Sequence, residues 1–248
     1  MFSYYLNMLE KSRAIVLHML KYGDSGMIVD MLTESHGRLS FAMRMPKTQK
    51  GKLKRQLFQP LSLLEIEFDY RQKMELQRLR DVRLLQPYTS IPFDGSKLSV
   101  ALFLAEFLYH ATRGEQRNDG LFEYIETALR WYDASESDFA NFHLVFMIRM
   151  SRFVGFLPNV DDYEDGCWFD LRSAQFVNMA PIHADVLEPV EASRIVTLMR
   201  MTFDTMHLFR MSHDERNRIT DIVLWYYRLH LPQMPDMQSL SVVRSVFS

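Results

Sequence analysis

The hydrophobic period of this 248-residue chain changes from two to 3.6 near residue 90, which points to a strand-built part followed by a helical one. Ahead of it lie short runs. Ala14-Ile15-Val16-Leu17-His18-Met19-Leu20 ends at Gly23, and Met27-Ile28-Val29-Asp30-Met31-Leu32 follows the turn Gly23-Asp24-Ser25-Gly26. Arg38-Leu39-Ser40-Phe41-Ala42-Met43 comes after His36-Gly37. Leu63 to Tyr70 then alternates with period two, placing Leu64, Ile66, Phe68 and Tyr70 on one face, and Leu76 to Leu85 supplies a fifth run. A pleated strand turns alternate residues to opposite faces, so five short runs separated by turn signals predict a small barrel. Residues 11–85 read as a five-stranded OB-like barrel.

Beyond Pro92 the period is 3.6. Leu98–Arg113 opens this part. Leu121, Phe122, Ile125, Ala128, Leu129 and Tyr132 share a stripe, as do Phe139, Phe142, Phe146, Met150 and Phe153. Ile195, Leu198, Met199, Phe203 and Met206 form another stripe, and Ile219, Ile222, Val223, Tyr226 and His230 the last, with Ser212 and Glu215 spaced as a capping box before it. About five amphipathic helices follow, enough for a bundle. Between Pro158 and Pro189 the helical pattern pauses, and Trp168–Leu171 with Gln175–Val177 predicts a two-stranded hairpin. The fold class is therefore α+β: an N-terminal OB-fold barrel (1–85), an α-helical bundle domain in two stretches (92–157 and 188–232), an inserted hairpin segment (158–187) and a tail (233–248). In that tail Leu240, Val243 and Phe247 are spaced for a short amphipathic helix.

The formal charge of −2 argues against a global basic footprint, but it sums two unlike parts. Through Arg83 the net charge is +6; the remainder carries −8. A split of this size suggests separate surfaces for separate partners. The strongest local signal is a run without any acid until Glu65: Arg38, Arg44, Lys47, Lys50, Lys52, Lys54 and Arg55. Its place is the connection between the third and fourth strands. OB barrels hold single strands by joining a cationic groove to aromatic faces on which bases stack, and Phe41, Phe58, Phe68 and Tyr70 are the candidate stackers. A solvated loop that serves solubility is the competing reading. His110, Arg113, Arg117 and Arg130 lie beside Phe107, Leu108, Leu121 and Phe122, a basic rim around an apolar pocket suited to an acidic peptide with a hydrophobic end. Ordinary surface cations at helix ends are the alternative there. Met199, Met201, Met206 and Met211 make either an adaptable groove or helix core.

Several function classes find no support. The single cysteine, Cys167, excludes an internal disulfide and a zinc site of several thiolates, and it fits a reducing, cytoplasmic compartment. No apolar run approaches the roughly 18–20 residues of a membrane span, and the N-terminus lacks a signal-peptide pattern. The acids of Asp161-Asp162-Tyr163-Glu164-Asp165 are adjacent, not alternate as in a calcium loop, which favours a solvated turn over a metal site. No histidine has a nucleophile at motif spacing, and no phosphate-binding glycine motif is present, so nothing argues for an enzyme.

These segments together resemble the bacterial recombination-mediator and DNA-repair family RecO. The resemblance lies in Ala14-Ile15-Val16-Leu17-His18 leading to Tyr22-Gly23-Asp24-Ser25, in Leu32-Thr33-Glu34-Ser35-His36-Gly37-Arg38, and in Gln59-Pro60-Leu61 before Leu64-Glu65-Ile66. It recurs in Gly155-Phe156-Leu157-Pro158-Asn159 and in Phe169-Asp170-Leu171 through Phe176-Val177, covering roughly residues 11–232. It implies an OB barrel followed by a helical domain. It also implies binding of single- and double-stranded DNA, annealing, and loading of recombinase together with RecR onto strands coated with single-strand-binding protein, whose acidic tail docks on the helical domain. By position Arg38, Arg44, Lys47, Lys50, Lys52, Lys54 and Arg55 match the basic barrel segment, and His110, Arg113 and Arg117 sit where a tail-docking rim is expected. Many members carry a four-cysteine zinc module after Leu-Pro-Asn; here only Cys167 occupies that region, so no zinc or other cofactor is expected. The hairpin should then rest on its own core of Trp168, Phe169, Phe176 and Val177. The expected place of action is the cytoplasm, at the nucleoid, with no membrane partner. A protein-interaction scaffold with no nucleic-acid role is the rival reading, and a nuclease using the acidic turn a third.

Overall fold

The computed structural model describes residues 8–24, 26–44, 48 and 55–246. Its first half is a barrel of β1 (Met8–Tyr22), β2 (Gly26–Thr33), β3 (Gly37–Arg44), β4 (Leu63–Tyr70) and β5 (Leu76–Leu84), closed in the order β1-β2-β3-β5-β4. Every ladder is antiparallel except β3 with β5, which pair in parallel over Ser40–Leu76, Phe41–Gln77 and Ala42–Arg78. Closure depends on the length of β1: Met8–Ile15 pairs with β4 and Ala14–Tyr22 with β2. A bulge between Val16 and His18 marks the change of course. The backbone of Val16 is served there by a neighbouring segment, its N–H donating to Ser62 O at 3.1 Å and its carbonyl accepting from Leu61 N at 2.7 Å.

Ala14, Val16, Met27, Val29, Met31, Phe41, Phe58, Leu64, Ile66, Phe68 and Val82 pack together inside the barrel. This corrects the expected stacking platform. Phe41, Phe58 and Phe68 are wholly buried, with Phe41 and Phe68 edge to face at 5.3 Å, so none of the three offers a ring to a base. Tyr70 is half-buried, and the His36 ring already lies stacked on it at 3.8 Å.

The chain forms two compact units, 1–129 and 130–248. The first therefore extends well past residue 85, taking in α1 (Gly95–Ala111) and most of α2 (Asp119–Ala134). Three contacts explain the difference. Arg13 bonds Glu34 through Nε (2.9 Å) and Nη2 (2.7 Å), and reaches Glu126 of α2 through Nη1. The Arg38 guanidinium lies 4.2 Å from the Tyr109 ring centroid and donates to the Tyr109 carbonyl. The Arg38 backbone N–H donates to Glu115 O at 2.9 Å. The N-terminus of α1 is capped by Asp94, whose carboxylate accepts from Ser96 N (2.8 Å) and Lys97 N (3.1 Å).

The second unit contains α3 (Phe142–Met150), β6 (Trp168–Asp170), β7 (Gln175–Val177), β8 (Val186–Leu187), α4 (Pro189–Arg200), α5 (His213–His230) and α6 (Leu240–Arg244). The hairpin falls where it was expected, with Phe169 opposite Phe176, both buried and 4.9 Å apart. The strand β8 adds a third member on the far side of β6; two residues are too few to show a period. Two helices are shorter than their stripes. Phe139 and Phe153 flank α3 in turns, and Phe203 and Met206 follow the end of α4. Met201 and Met206 are fully buried, which makes them core and not an exposed groove. The capping box opens α5 as its spacing predicts: Ser212 Oγ accepts from Glu215 N at 3.2 Å, and Glu215 Oε2 accepts from Ser212 N at 2.9 Å. The tail helix α6 buries Val243 and is tied to α5 by an Arg244–Asp221 ion pair and a bond from His213 Nε2 to the Arg244 carbonyl. Phe247 lies outside the described residues.

Candidate nucleic-acid interface

Directly paired residues of a sheet share a face, so the registers place the outward side chains of β1, β2, β3 and β5 in three rows. His18, Asp30, Ser40 and Leu76 form the first, Leu20, Ile28, Ala42 and Arg78 the second, and Tyr22, Gly26 and Arg44 the third. The first row is bonded within itself. Ser40 Oγ donates to the Asp30 carboxylate, and His18 Nδ1 lies 3.7 Å from its other oxygen. The end of α1 lies against the His18 end of this row, with the Tyr109 ring 4.7 Å from that of His18, while Leu76 at the other end is exposed. The other two rows face solvent: Leu20, Tyr22, Ala42, Arg44 and Arg78 are exposed. Among the described residues neither Arg44 nor Arg78 forms a close ion pair, although Arg78 stands opposite Asp69 across β4–β5 and helps Arg80 hold its carboxyl below the usual carboxylate range.

Past Ala42 and Arg78 the β3–β5 ladder ends. A groove of about 680 Å³ opens there, walled by Tyr22, Arg44, Gln77 and Arg78 among others. Gln77 is buried and holds the β4–β5 turn that borders the groove, its amide donating to Met74 O (2.6 Å) and Arg71 O (3.0 Å) and accepting from Arg71 N (2.8 Å). The groove thus has a fixed wall, two exposed arginines and one exposed aromatic ring.

The cations of the basic run divide. Arg44 is on this face, and Arg55 is exposed where the chain re-enters the described residues. Lys47, Lys50, Lys52 and Lys54 lie outside the described residues. Arg38 is half-buried and engaged with Tyr109, so it ties the barrel to α1. Sequence reading missed Tyr22 and Arg78. The signal for Arg78 was the alternation of Leu76-Gln77-Arg78, whose outer phase matches that of Arg44 across β3.

The expected docking rim is taken apart in the same way. Arg113 is exposed and Arg117 is exposed but held bidentate by Asp119 at 2.8 and 3.0 Å. His110 is partly buried, which pushes its pKa down. Phe107, Leu108, Leu121 and Phe122 are all buried, so they give the rim no open apolar floor. Two other histidines are structural: His36 Nε2 bonds Glu10 at 2.5 Å, and His230 donates to Leu171 O at 2.9 Å while stacking on Phe156. Among the described residues no three His, Cys, Asp or Glu side chains are grouped as a metal site requires, the acidic turn included.

Comparison with known proteins agrees with the architecture. The N-terminal model of recombination protein O matches residues 8–88, and its C-terminal model matches residues 92–239. The chain belongs to the RecO family. Relatives named DNA repair protein RecO include one from Phocaeicola vulgatus, 49% identical over 97% of this chain and 100% of that protein. Another, from Bacteroides fragilis, is 48% identical with the same coverage. One from Flavobacterium psychrophilum is 32% identical over 96% of this chain and 99% of that protein. The boundary between the two RecO models falls in the segment joining β5 to α1. A four-cysteine zinc module of the kind the resemblance implies does not fit the residues present here: Cys167 is a single thiol, buried, with its Sγ donating to Asn178 Oδ1 at 3.1 Å. Among the described residues no helix is long and apolar enough to cross a membrane.

Proposed function

We propose that this RecO-family chain acts in DNA repair as a non-enzymatic mediator that binds single- and double-stranded DNA, anneals complementary strands and, with RecR, loads recombinase onto strands coated with single-strand-binding protein. The observation that carries the reading is the groove beside β3 and β5, flanked by the exposed and unpaired Arg44 and Arg78. Arg44 leads into the connection holding Lys47, Lys50, Lys52 and Lys54, and Arg55 leads out of it. Cations meeting phosphates release counterions whatever the sequence bound, and neutralising two strands side by side lowers the repulsion that opposes annealing. No catalytic residue is needed for either step. In the rim assigned to the acidic tail of single-strand-binding protein, Arg113 is the cation left exposed and uncommitted, since Arg117 is held by Asp119.

Salt-dependent binding of a labelled single strand, with annealing of its complement read in the same tube, tests the proposal. If about five cations meet phosphates, log affinity should fall with log salt at a slope near −3.5. Reversing the charge at Lys50, Lys52, Lys54 and Arg55 should flatten that slope and slow annealing. Unchanged slope and annealing in the variant would remove the basic connection from the mechanism.

A further inference from the structure

The exterior of the barrel has two unlike halves. Where β4 pairs with β1 and β5, outward charges cancel in pairs, Lys11 with Glu67 at 2.6 Å and Arg83 with Glu65 at 3.0 Å. Across β1, β2, β3 and β5 only His18 and Asp30 approach as a pair, and Arg44 and Arg78 form no ion pair among the described residues. There Tyr22 is 67% exposed, Leu20 52% and Leu76 41%, beside the unpaired Arg44 and Arg78. The solvent side of an antiparallel sheet ordinarily carries polar residues, so exposed apolar side chains gathered between free cations mark a surface that something covers.

The third row adds a shape. Gly26 stands between Tyr22 and Arg44 and contributes no side chain. A Cβ there would lie 2.4 Å from the Tyr22 carbonyl oxygen and 3.5 Å from its ring. The Tyr22 ring therefore lies against the Gly26 backbone, which a side chain would obstruct, and the Arg44 guanidinium springs from a strand two spacings away, about 9.5 Å. Tyr22, Gly26 and Arg44 all line the groove.

We propose that the row is a slot for an unpaired nucleobase, with the base laid on the Tyr22 ring and neighbouring phosphates held by Arg44 and Arg78. The inference rests on the reading that this face takes DNA and adds which state of DNA it takes. In a duplex the base faces are already stacked on one another, and the outer surface is phosphate, which gains nothing from Leu20, Tyr22 or Leu76. An unpaired strand presents flat π-faces, and stacking on an aromatic ring is tolerant of base identity. Tyr22 thus adds affinity for unpaired DNA, without reading sequence, to phosphate contacts that either form of DNA can make.

The test uses the full chain with Tyr22→Ala and Tyr22→Trp, and three probes: an oligo-dT strand of about 20 nucleotides, an abasic strand of the same length and a hairpin duplex. Tyr22→Ala should weaken oligo-dT binding roughly 5- to 150-fold, with less than about twofold loss on the abasic strand and the duplex. Tyr22→Trp should retain oligo-dT affinity. Equal losses on all three probes, or no loss on oligo-dT, overturn the slot while leaving DNA binding in place. A wild-type protein with no salt-dependent affinity for any probe overturns the DNA reading and the slot together.

Discussion

Replacing Gly37 with alanine tests whether the barrel and the helices after it are one folded unit. Gly37 opens β3 at φ +71°, and a Cβ there would stand 2.3 Å from the carbonyl carbon and oxygen of Gln116 and 2.5 Å from the Glu115 oxygen. These are backbone atoms with no rotamer to change. Three costs follow: about 1–2 kcal/mol for a left-handed alanine, about 1–3 kcal/mol for overpacking, and about 1 kcal/mol if the bond from Arg38 N–H to Glu115 O is lost. Gly37→Ala should therefore destabilise the first unit by about 3–6 kcal/mol. Gly23 supplies the control. Its φ is +63°, in the same region, but nothing lies within 4 Å of its would-be Cβ, so Gly23→Ala should cost only the conformational part, about 1–2 kcal/mol. A chain with two compact units need not unfold in one step, so the measurement is native-state hydrogen exchange of buried β2 and β3 amides such as Val29 and Phe41. Equal losses in the two variants would show that the segment after α1 yields freely, and would refute the argument that it is part of the barrel's fold.

Other perturbations have equally definite outcomes. Burial pushes the His143 pKa down to about 3, and its Nε2–H donates to Thr220 Oγ1 at 3.1 Å because the Thr220 hydroxyl donates to Arg216 O. The unfolded chain takes a proton near pH 6.5 that the folded chain refuses until about 3, so this contribution is whole above about 6.5 and falls on acidification by up to about 1.4 kcal/mol per unit. Denaturant titrations of wild type and His143→Gln between about pH 6 and 4 should diverge in slope, and parallel slopes would contradict the buried neutral imidazole. Ser212→Ala removes one half of the α5 capping box and should cost about 1 kcal/mol in thermal unfolding, whereas Ser212→Gly should cost only a few tenths. Phe169→Ala should cost the second unit about 3–5 kcal/mol, while a strong chelator should leave its Tm unchanged; a chelator-induced drop would mean that metal, not the Phe169–Phe176 core, holds the hairpin.

The barrel was legible because period two survives wherever a strand has one side in the core, as Leu64-Ile66-Phe68 does without interruption. The helical half was legible for the same reason, but stripes overrun helix ends, since the chain beyond a helix can bury an apolar residue in phase with it, as Met206 does. Clamps such as Arg13–Glu126 and Arg38–Tyr109 join residues far apart in the chain, and no local pattern marks them.

Part of the proposed DNA-binding face was present in the spacing alone. On β3 the core takes Leu39, Phe41 and Met43, which forces Arg38, Ser40, Ala42 and Arg44 to the opposite face. Phe41 could never have stacked a base held by Arg44 on the same strand. Tyr22 is different. It shares parity with Ala14 and Val16, both inside, and counting from the start of β1 would bury it. The bulge between Val16 and His18 shifts that count by one, so Met19 turns inward while His18, Leu20 and Tyr22 turn out. A single extra residue thus converts what the alternation reads as a core tyrosine into an exposed ring beside Arg44. Stacking candidates in β1 beyond Leu17 must be counted from the bulge, whose site is set by the backbone bonds of Val16 to Leu61 and Ser62, residues of a distant segment.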